Sequence, residues 1–285
     1  MKNIDLSIFD GKKIPFLIKK AEELFKENLE GKIHAHKIYT TILDQVPIKY
    51  DDEEGLHFLR GNLRQKIWEC ERSFFWNERY YSQAGQDKII NKTFFDGKKN
   101  RFFIEIGAHD GISGSNCYYF ERFLNWNGIA IEPSNIQFEK LKKNRKCKIL
   151  NNAISDEVKE VEFVEVIEGL TQLSGIKNSL SKRNFDIISN NKSSKTKSFN
   201  IKTITFDDIA PKDTEIDYLS IDIEGGEMNL LKSINFDIVN IKVISVENNI
   251  PKEQNFKNFL ETRNFNYFDR IGQDEIFYNN QYFKF

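Results

Sequence analysis

The chain has 285 residues, with 42 Lys and Arg against 43 Asp and Glu, for a formal net charge of −1. Apolar residues make up 39% and charged residues 30%, enough for a real core in one large domain, or in one domain with an extension of under roughly a hundred residues. The near-neutral balance excludes an overall field that would draw nucleic acid or an anionic membrane. The opening MKNIDLSIFDGKKIPFLIKK lacks an apolar run long enough for a signal peptide, and no stretch approaches the ~18 apolar residues of a membrane span. Cys70, Cys117 and Cys147 are odd in number and form no C-x-x-C pair, so reduced thiols in a cytoplasmic protein are expected and a zinc site is not.

Residues 1–80 are expected to form a helical extension. Ile18, Ala21, Phe25 and Leu29 repeat at helical spacing, a second helix is expected around Ile38–Leu43, and a third through Leu56, Leu59, Leu63 and Ile67. Pro47 and the acidic cluster Asp51–Glu54 break the pattern between them. From about residue 100 strands alternate with helices. Arg101–Gly107, Gly128–Glu132, Lys148–Ile154, Asp217–Ile223 and Lys242–Val246 read as five buried strands. Helices are expected over Ser115–Leu124, Asn135–Arg145 and Glu227–Ile234. Val158–Val166 alternates and is expected to pair with Asn200–Thr205. Residues 177–199, rich in Lys, Ser and Asn, read as a mobile polar loop, and Asn266–Tyr278 as two strands about the turn Gly272–Asp274. The order implies an α/β fold with a mostly parallel, Rossmann-like sheet over residues 81–285, and ligands beyond the carboxyl ends of its strands.

Those ends carry candidate ligand-binding residues. Glu105-Ile-Gly-Ala-His-Asp-Gly111 runs from a strand into a glycine turn and then a helix. Gly107 and Gly111 let a ligand approach the backbone, and the N–H groups that follow can receive a carboxylate. The glycines stand at 107, 111 and 114, not at G-x-G-x-x-G spacing, which makes a pyrophosphate a poorer fit than the aminocarboxypropyl arm of S-adenosylmethionine. A tight structural turn is the alternative. Glu132, about 25 positions on, can accept both hydroxyls of a ribose, or be an exposed loop acid. Asn152 ends a third strand, where it could line an adenine pocket.

With these runs in view, residues about 80–280 resemble the FkbM-type methyltransferase family. The resemblance rests on Ser82-Gln83-Ala84-Gly85-Gln86-Asp87, the Glu105–Gly111 turn, Ser115-Asn116, Phe120-Glu121, Trp126-Asn127-Gly128 and Ile131-Glu132-Pro133. It continues through Asn152-Ala153-Ile154, Leu173-Ser174-Gly175, Asp222-Ile223-Glu224-Gly225 with Glu227, and Val246-Glu247-Asn248. It implies a class I methyltransferase fold with S-adenosylmethionine as methyl donor. Glu105, Gly107, Asp110 and Gly111 would cradle the methionine part, Glu132 the ribose and Asn152 the adenine. It also implies methylation of a hydroxyl on a natural product or a bacterial surface sugar.

Asp222, Glu224 and Glu227 fall within six residues, and Glu247-Asn248 ends the next strand. Methyl transfer to an alcohol needs an aligned hydroxyl that loses its proton as the bond forms. In one arrangement Asp222, Glu224 or His109 is the base. In another, Asp222, Glu247 and Asn248 hold Mg²⁺ or Mn²⁺, which lowers the hydroxyl's pKa. The latter spacing is similar to that of metal-dependent catechol-type and macrolide-sugar methyltransferases, except that Gly225 stands where those carry a Lys or His. A structural role in loop hydrogen bonding or capping by Glu227 is the third possibility. For His109 a cofactor-side or packing role is favoured over a base, and His34, His36 and His57 read as surface or packing residues. The expected chemistry is therefore O-methylation at Asp222, Glu224 and Glu247, on a hydroxyl-bearing small molecule or sugar, with no nucleic-acid partner. The extension is a candidate homo-oligomer contact. A non-catalytic binding module and a Rossmann oxidoreductase are the competing readings.

Overall fold

The structure is a computed structural model that describes residues 13–50, 55–74, 79–211, 214–250 and 254–285. Three helices come first: α1 (Ile14–Phe25), α2 (Leu29–Gln45) and α3 (Leu56–Ser73). Leu29 opens α2 rather than extending α1, because Asn28 caps it by accepting from the Gly31 N–H at 3.0 Å. The acidic cluster at 51–54 lies outside the described residues. Ala21, Ala35, Ile38, Tyr39, Ile42 and Leu63 bury one apolar stripe from each helix in a shared core.

The remainder builds a seven-stranded sheet from β1 (Phe102–Ile106), β2 (Asn127–Ile131), β3 (Lys148–Leu150), β8 (Ile216–Ile221), β9 (Ile241–Glu247), β10 (Phe265–Ile271) and β11 (Asp274–Asn279). Across the sheet they run β10-β11-β9-β8-β1-β2-β3. The five from β9 to β3 are parallel, and β11 enters antiparallel between β9 and β10. This is a Rossmann-like α/β sheet. Side-chain rows cross it in register: Ile104, Leu219, Ile244 and Phe277 pack on one face, and Phe103, Tyr218, Val243 and Tyr278 on the other. Each such fully buried side chain contributes about 1.5–3 kcal/mol. A short helix, α4 (Gln86–Ile90), precedes the sheet, and α5 (Tyr118–Leu124), α6 (Asn135–Asn144), α8 (Glu227–Ser233) and α9 (Phe256–Glu261) connect its strands. Successive connections lead from β1 outward to β3 and then back to β8 on the other side. The crevice between β1 and β8 is therefore the switch point at which such sheets bind ligands.

Two expectations change. The strand read over Lys148–Ile154 divides after Leu150, where Asn151 Nδ2 donates to the carbonyls of Glu132 (2.9 Å) and Pro133 (3.2 Å). Its second part, β4 (Ala153–Ile154), joins a separate four-stranded sheet, ordered β4-β7-β5-β6, with β5 (Glu160–Glu168), β6 (Gly175–Ile176) and β7 (Lys195–Ile204). Residues 177–199 are not one loop: they hold α7 (Lys182–Asn190), capped by Ser181, and the start of β7. The lysines misled because β7 puts them opposite acids across the pair, Lys195 facing Glu168 and Lys202 facing Glu160. The expected pairing of residues 158–166 with 200–205 does occur, and reaches further along β7.

The extension is seated on the β10–β11 hairpin. Arg60 and Arg64 of α3 both bond the fully buried Asp269 of β10, at 2.7–2.9 Å. Tyr50 and His57 donate to the buried Glu275 of β11, at 2.8 and 2.9 Å. Among the described residues no helix is long and apolar enough to cross a membrane.

Candidate active site

A cavity of about 310 Å³ opens at the β1–β8 crevice, at the lower end of the size range of small-molecule pockets. Its floor is formed by the ends of β1, β2 and β8. Glu105 and Gly107, Glu132, and Asp222 and Glu224 reach it from these ends, and Asn152 reaches it from the β3–β4 break.

Gly107 holds φ +87°, and a Cβ there would lie 1.7 Å from the carbonyl oxygen of Asp222. Its lack of a side chain lets the two strand ends converge, which is a different service from admitting a ligand. The Gly107 and Ala108 N–H groups then donate to Ile131 O, tying the turn to β2.

Glu105 is held by three donors: Ser115 Oγ (2.7 Å), the Cys117 N–H (3.2 Å) and Arg145 Nη1 (2.6 Å). Arg145 is shared with Glu121 and is fully buried along its side chain. Glu132 accepts from the N–H of His109 at 2.8 Å and of Ser134 at 2.7 Å, one on each oxygen. Each oxygen keeps a free lone pair, so the carboxylate is oriented and can still receive hydroxyl groups. Burial pushes it up to about 7. The His109 ring bonds Thr171 Oγ1 at 3.0 Å and is pushed down by burial, toward its neutral form.

Two expected cofactor residues are not brought to the wall. The Asp110 carboxylate turns back on its own loop, accepting from the N–H groups of Ile112 and Ser113 and from Ser113 Oγ. Gly111 faces α6, where a Cβ would meet Leu141 at 2.7 Å and Arg145 at 2.8 Å. Both shape the turn; neither lines the cavity.

Asp222, Glu224 and Glu247 converge, with one carboxylate oxygen from each lying within 4.8 Å of the others. Asn184 Nδ2 of α7 donates to Glu224 at 2.7 Å. All three carboxyls are pushed above their usual range, first by burial and then by one another and by Glu227. Buried acids in a cleft with pKa values displaced this way mark a candidate functional site. Glu227 itself accepts from the Gly225 N–H at 2.7 Å and shapes the turn into α8.

The expected ligand Asn248 is excluded from this cluster. Its Nδ2 donates to Glu275 (2.7 Å) and to Gln254 O (2.9 Å), and its Oδ1 accepts from the Ile250 N–H (3.2 Å). As the neighbour of Glu247 in an extended segment, it points to the opposite side.

Several further residues complete the wall. Gln83 closes one side, positioned by a backbone bridge between Ser82 and Gly114, while Asp87 caps that segment by binding Tyr81 N, Ser82 N and Ser82 Oγ. Asn116 donates to Ser220 Oγ (3.1 Å) and Asp274 Oδ2 (3.0 Å). The second sheet adds Phe163 and Ile176, and the turn before β6 adds Thr171, Gln172 and Ser174. The runs 115–116 and 173–175 were visible in the sequence; what they lined was not.

The family model described as the methyltransferase FkbM domain matches residues 105–271, more than half of the chain and including every carboxylate on the floor of the cavity. The chain belongs to the FkbM methyltransferase family. A search of curated proteins finds no match. Among solved structures, the FkbM methyltransferase of Methylobacillus flagellatus KT is similar at 12% identity and a TM-score of 0.41, over 84% of this chain and 58% of that one. This FkbM chain thus spans under two thirds of that protein's length. The N-terminal domain of human METTL16 is similar at 14% identity and a TM-score of 0.37, over 97% of this chain and 93% of that one. The human methyltransferase 10 domain containing protein is similar at 12% identity and a TM-score of 0.29, over 88% and 96%. Such distant likenesses add nothing to the roles of individual residues in this FkbM chain.

Proposed function

We propose that this chain is an S-adenosylmethionine-dependent O-methyltransferase acting in the cytoplasm on a hydroxyl of a carbohydrate. The observation that carries the reading is the Asp222–Glu224–Glu247 cluster, of which Asp222 and Glu224 line the same cavity as Glu132. The three thiols described, free as Cys70, Cys117 and Cys147, are compatible with a reducing compartment.

The residues present fit the cofactor. Glu132 offers oriented lone pairs for two vicinal hydroxyls. Ile154, Phe163, Ile176 and Pro133 give the cavity apolar lining and Asn152 adds a polar group, the kinds of group that suit a purine. Glu105 acts indirectly: its bonds to Arg145, Ser115 and Cys117 hold the wall next to the glycine turn. When bound, S-adenosylmethionine supplies an activated methyl group on a sulfonium. The chain must then align an acceptor oxygen and take its proton. Asp222 and Glu224 face the cavity, and their raised pKa values bring them toward that of an effective base near neutral pH.

A second reading is favoured by the same convergence: the three carboxylates form an oxygen donor set suited to Mg²⁺ or Mn²⁺, with Glu224 in the place expected for Asn248. One experiment tests both. Purified protein is titrated calorimetrically with S-adenosylmethionine, then supplied with the radiolabelled cofactor and a panel of glycosides, with and without chelator. Label in an alkali-stable sugar ether supports O-methylation, and loss of labelling in chelator supports the metal. Failure to bind the cofactor would defeat the proposal.

A further inference from the structure

The N–H groups of the glycine turn are the receptors expected for the cofactor's amino-acid end, and most are already engaged within the protein. Those of Gly107 and Ala108 donate to Ile131 O, that of Gly111 to Ala108 O, and those of Ile112 and Ser113 to Asp110. The N–H of His109 orients Glu132. Side chains on the wall have to hold that end instead.

One wall residue has an unmet bond. Asn116 is 8% exposed and lines the cavity. Its Nδ2 donates to Ser220 Oγ of β8 and to Asp274 Oδ2 of β11, which uses both amide protons. Ser245 Oγ also donates to Ser220, at 3.3 Å. Held from two strands, the amide leaves its Oδ1 buried with no partner among the described residues. Buried acceptors are rarely left so, because the lost hydration is not replaced. An amide oxygen only accepts, so the group that completes it is a donor. A methyl transfer brings two such donors to the site, the acceptor's hydroxyl and the cofactor's α-ammonium. Ser220 precedes Asp222 by two residues on one face of β8, about 6–7 Å further into the crevice. The reacting hydroxyl has to meet Asp222 or Glu224, which leaves the deeper oxygen to the cofactor's own tail.

We infer that Asn116 Oδ1 receives the α-ammonium group of the cofactor's amino-acid arm, in place of the turn residues Asp110 and Gly111. This rests on the S-adenosylmethionine reading above and adds a binding residue to it. Glu132 at the end of β2 and Asn116 against β8 then hold the two ends of the ribose and its arm, with the Gly107 turn of β1 between them. The bond joins an ammonium to an uncharged amide. It is therefore the same whether Asp222, Glu224 and Glu247 are protonated, ionised or bound to a cation.

The full chain is titrated calorimetrically with S-adenosylhomocysteine and with its analogue lacking the α-amino group. The unaltered chain should bind the parent compound about tenfold more tightly or better, as expected for a hydrogen bond from a charged donor. In Asn116→Ala the preference should shrink to within about threefold. Asn116→Thr, which keeps more of the side chain's volume, should show the same loss and serves if the alanine variant does not fold. A purely structural Asn116 would weaken both compounds alike and leave their ratio where it was. That result, or an unaltered chain with no preference, would overturn the assignment and leave the cofactor reading intact. If S-adenosylhomocysteine does not bind the unaltered chain, the cofactor reading itself falls and the assignment with it.

Discussion

Buried carboxylates occur in two regions of this chain, with opposite consequences. At the seam between α3 and the hairpin, Asp269 lies against two guanidinium groups. Burial works against its ionisation, yet the hydrogen bonds and charges of Arg60 and Arg64 hold its carboxyl below the usual range. At the cavity, Glu224 is buried and Asp222 and Glu247 are half-buried; they face one another, and all three are displaced upward. The same residue types are thus held below their usual range in one place and above it in the other, and the difference is whether the fold supplies a cation. A fold that leaves acids unpaired in its interior has left room for a charge that arrives from outside.

Four experiments would break or sharpen that contrast. The largest expected effect is at the seam: Asp269→Ala leaves two arginines facing a buried void and should cost about 3–5 kcal/mol of stability in urea unfolding. A loss below about 1 kcal/mol would make the seam ordinary surface. Next, Asp222→Ala should lower turnover by about 10²–10⁴ while cofactor affinity changes little. An equal loss in both would return Asp222 to a structural role. Third, Glu132→Ala should weaken S-adenosylmethionine about tenfold in calorimetry with the fold intact, as expected for two lost hydroxyl contacts. Unchanged affinity would remove the ribose assignment.

The smallest effect is on stability against pH, because the two regions pull in opposite directions. Asp269 is lowered, so its contribution is complete above the unfolded aspartate value of about 4 and is lost as pH falls through its folded value. Glu132 and Asp274 are each raised to about 7, first by burial. Their contribution is complete below their unfolded values and is lost as pH rises through about 7. Thermal denaturation of the unliganded chain should therefore show stability declining from pH 5 to 8 and falling again in strong acid. Saturating S-adenosylmethionine should flatten the upper limb. A decline that ignores the cofactor would separate these acids from the ligand.

Much of this arrangement was legible because parallel strands announce themselves as short apolar runs ending in Gly or an acid. Glu105, Glu132, Asp222 and Glu224 could be placed at strand ends from that signal alone, and they meet in one cavity. Asn248 shows where adjacency misleads: it follows Glu247, but alternation along an extended segment sends neighbours to opposite sides. Strand parity alone keeps it off the face that Glu247 presents. Asp110 and Gly111 sit in the turn and off the wall for another reason. A turn needs its own hydrogen bonds and close contacts, and the residues that supply them resemble ligand-binding ones. The second sheet was obscured because its charged strand, β7, is exposed on the side that composition reports, while Phe199 and Thr203 point inward. The wall it gives the cavity comes from residues far apart in the chain, which no local pattern records.

The seam also decides where this protein can be cut. The family match begins at Glu105, which invites a shorter clone carrying only the matched sheet. Such a clone would strip Asp269 of both arginines and Glu275 of Tyr50 and His57. The boundary of the chemistry and the boundary of independent folding need not coincide. A crystallographer or protein engineer seeking a minimal folded unit should keep α3, and should expect a truncated clone to reach the insoluble fraction rather than yield a smaller soluble protein.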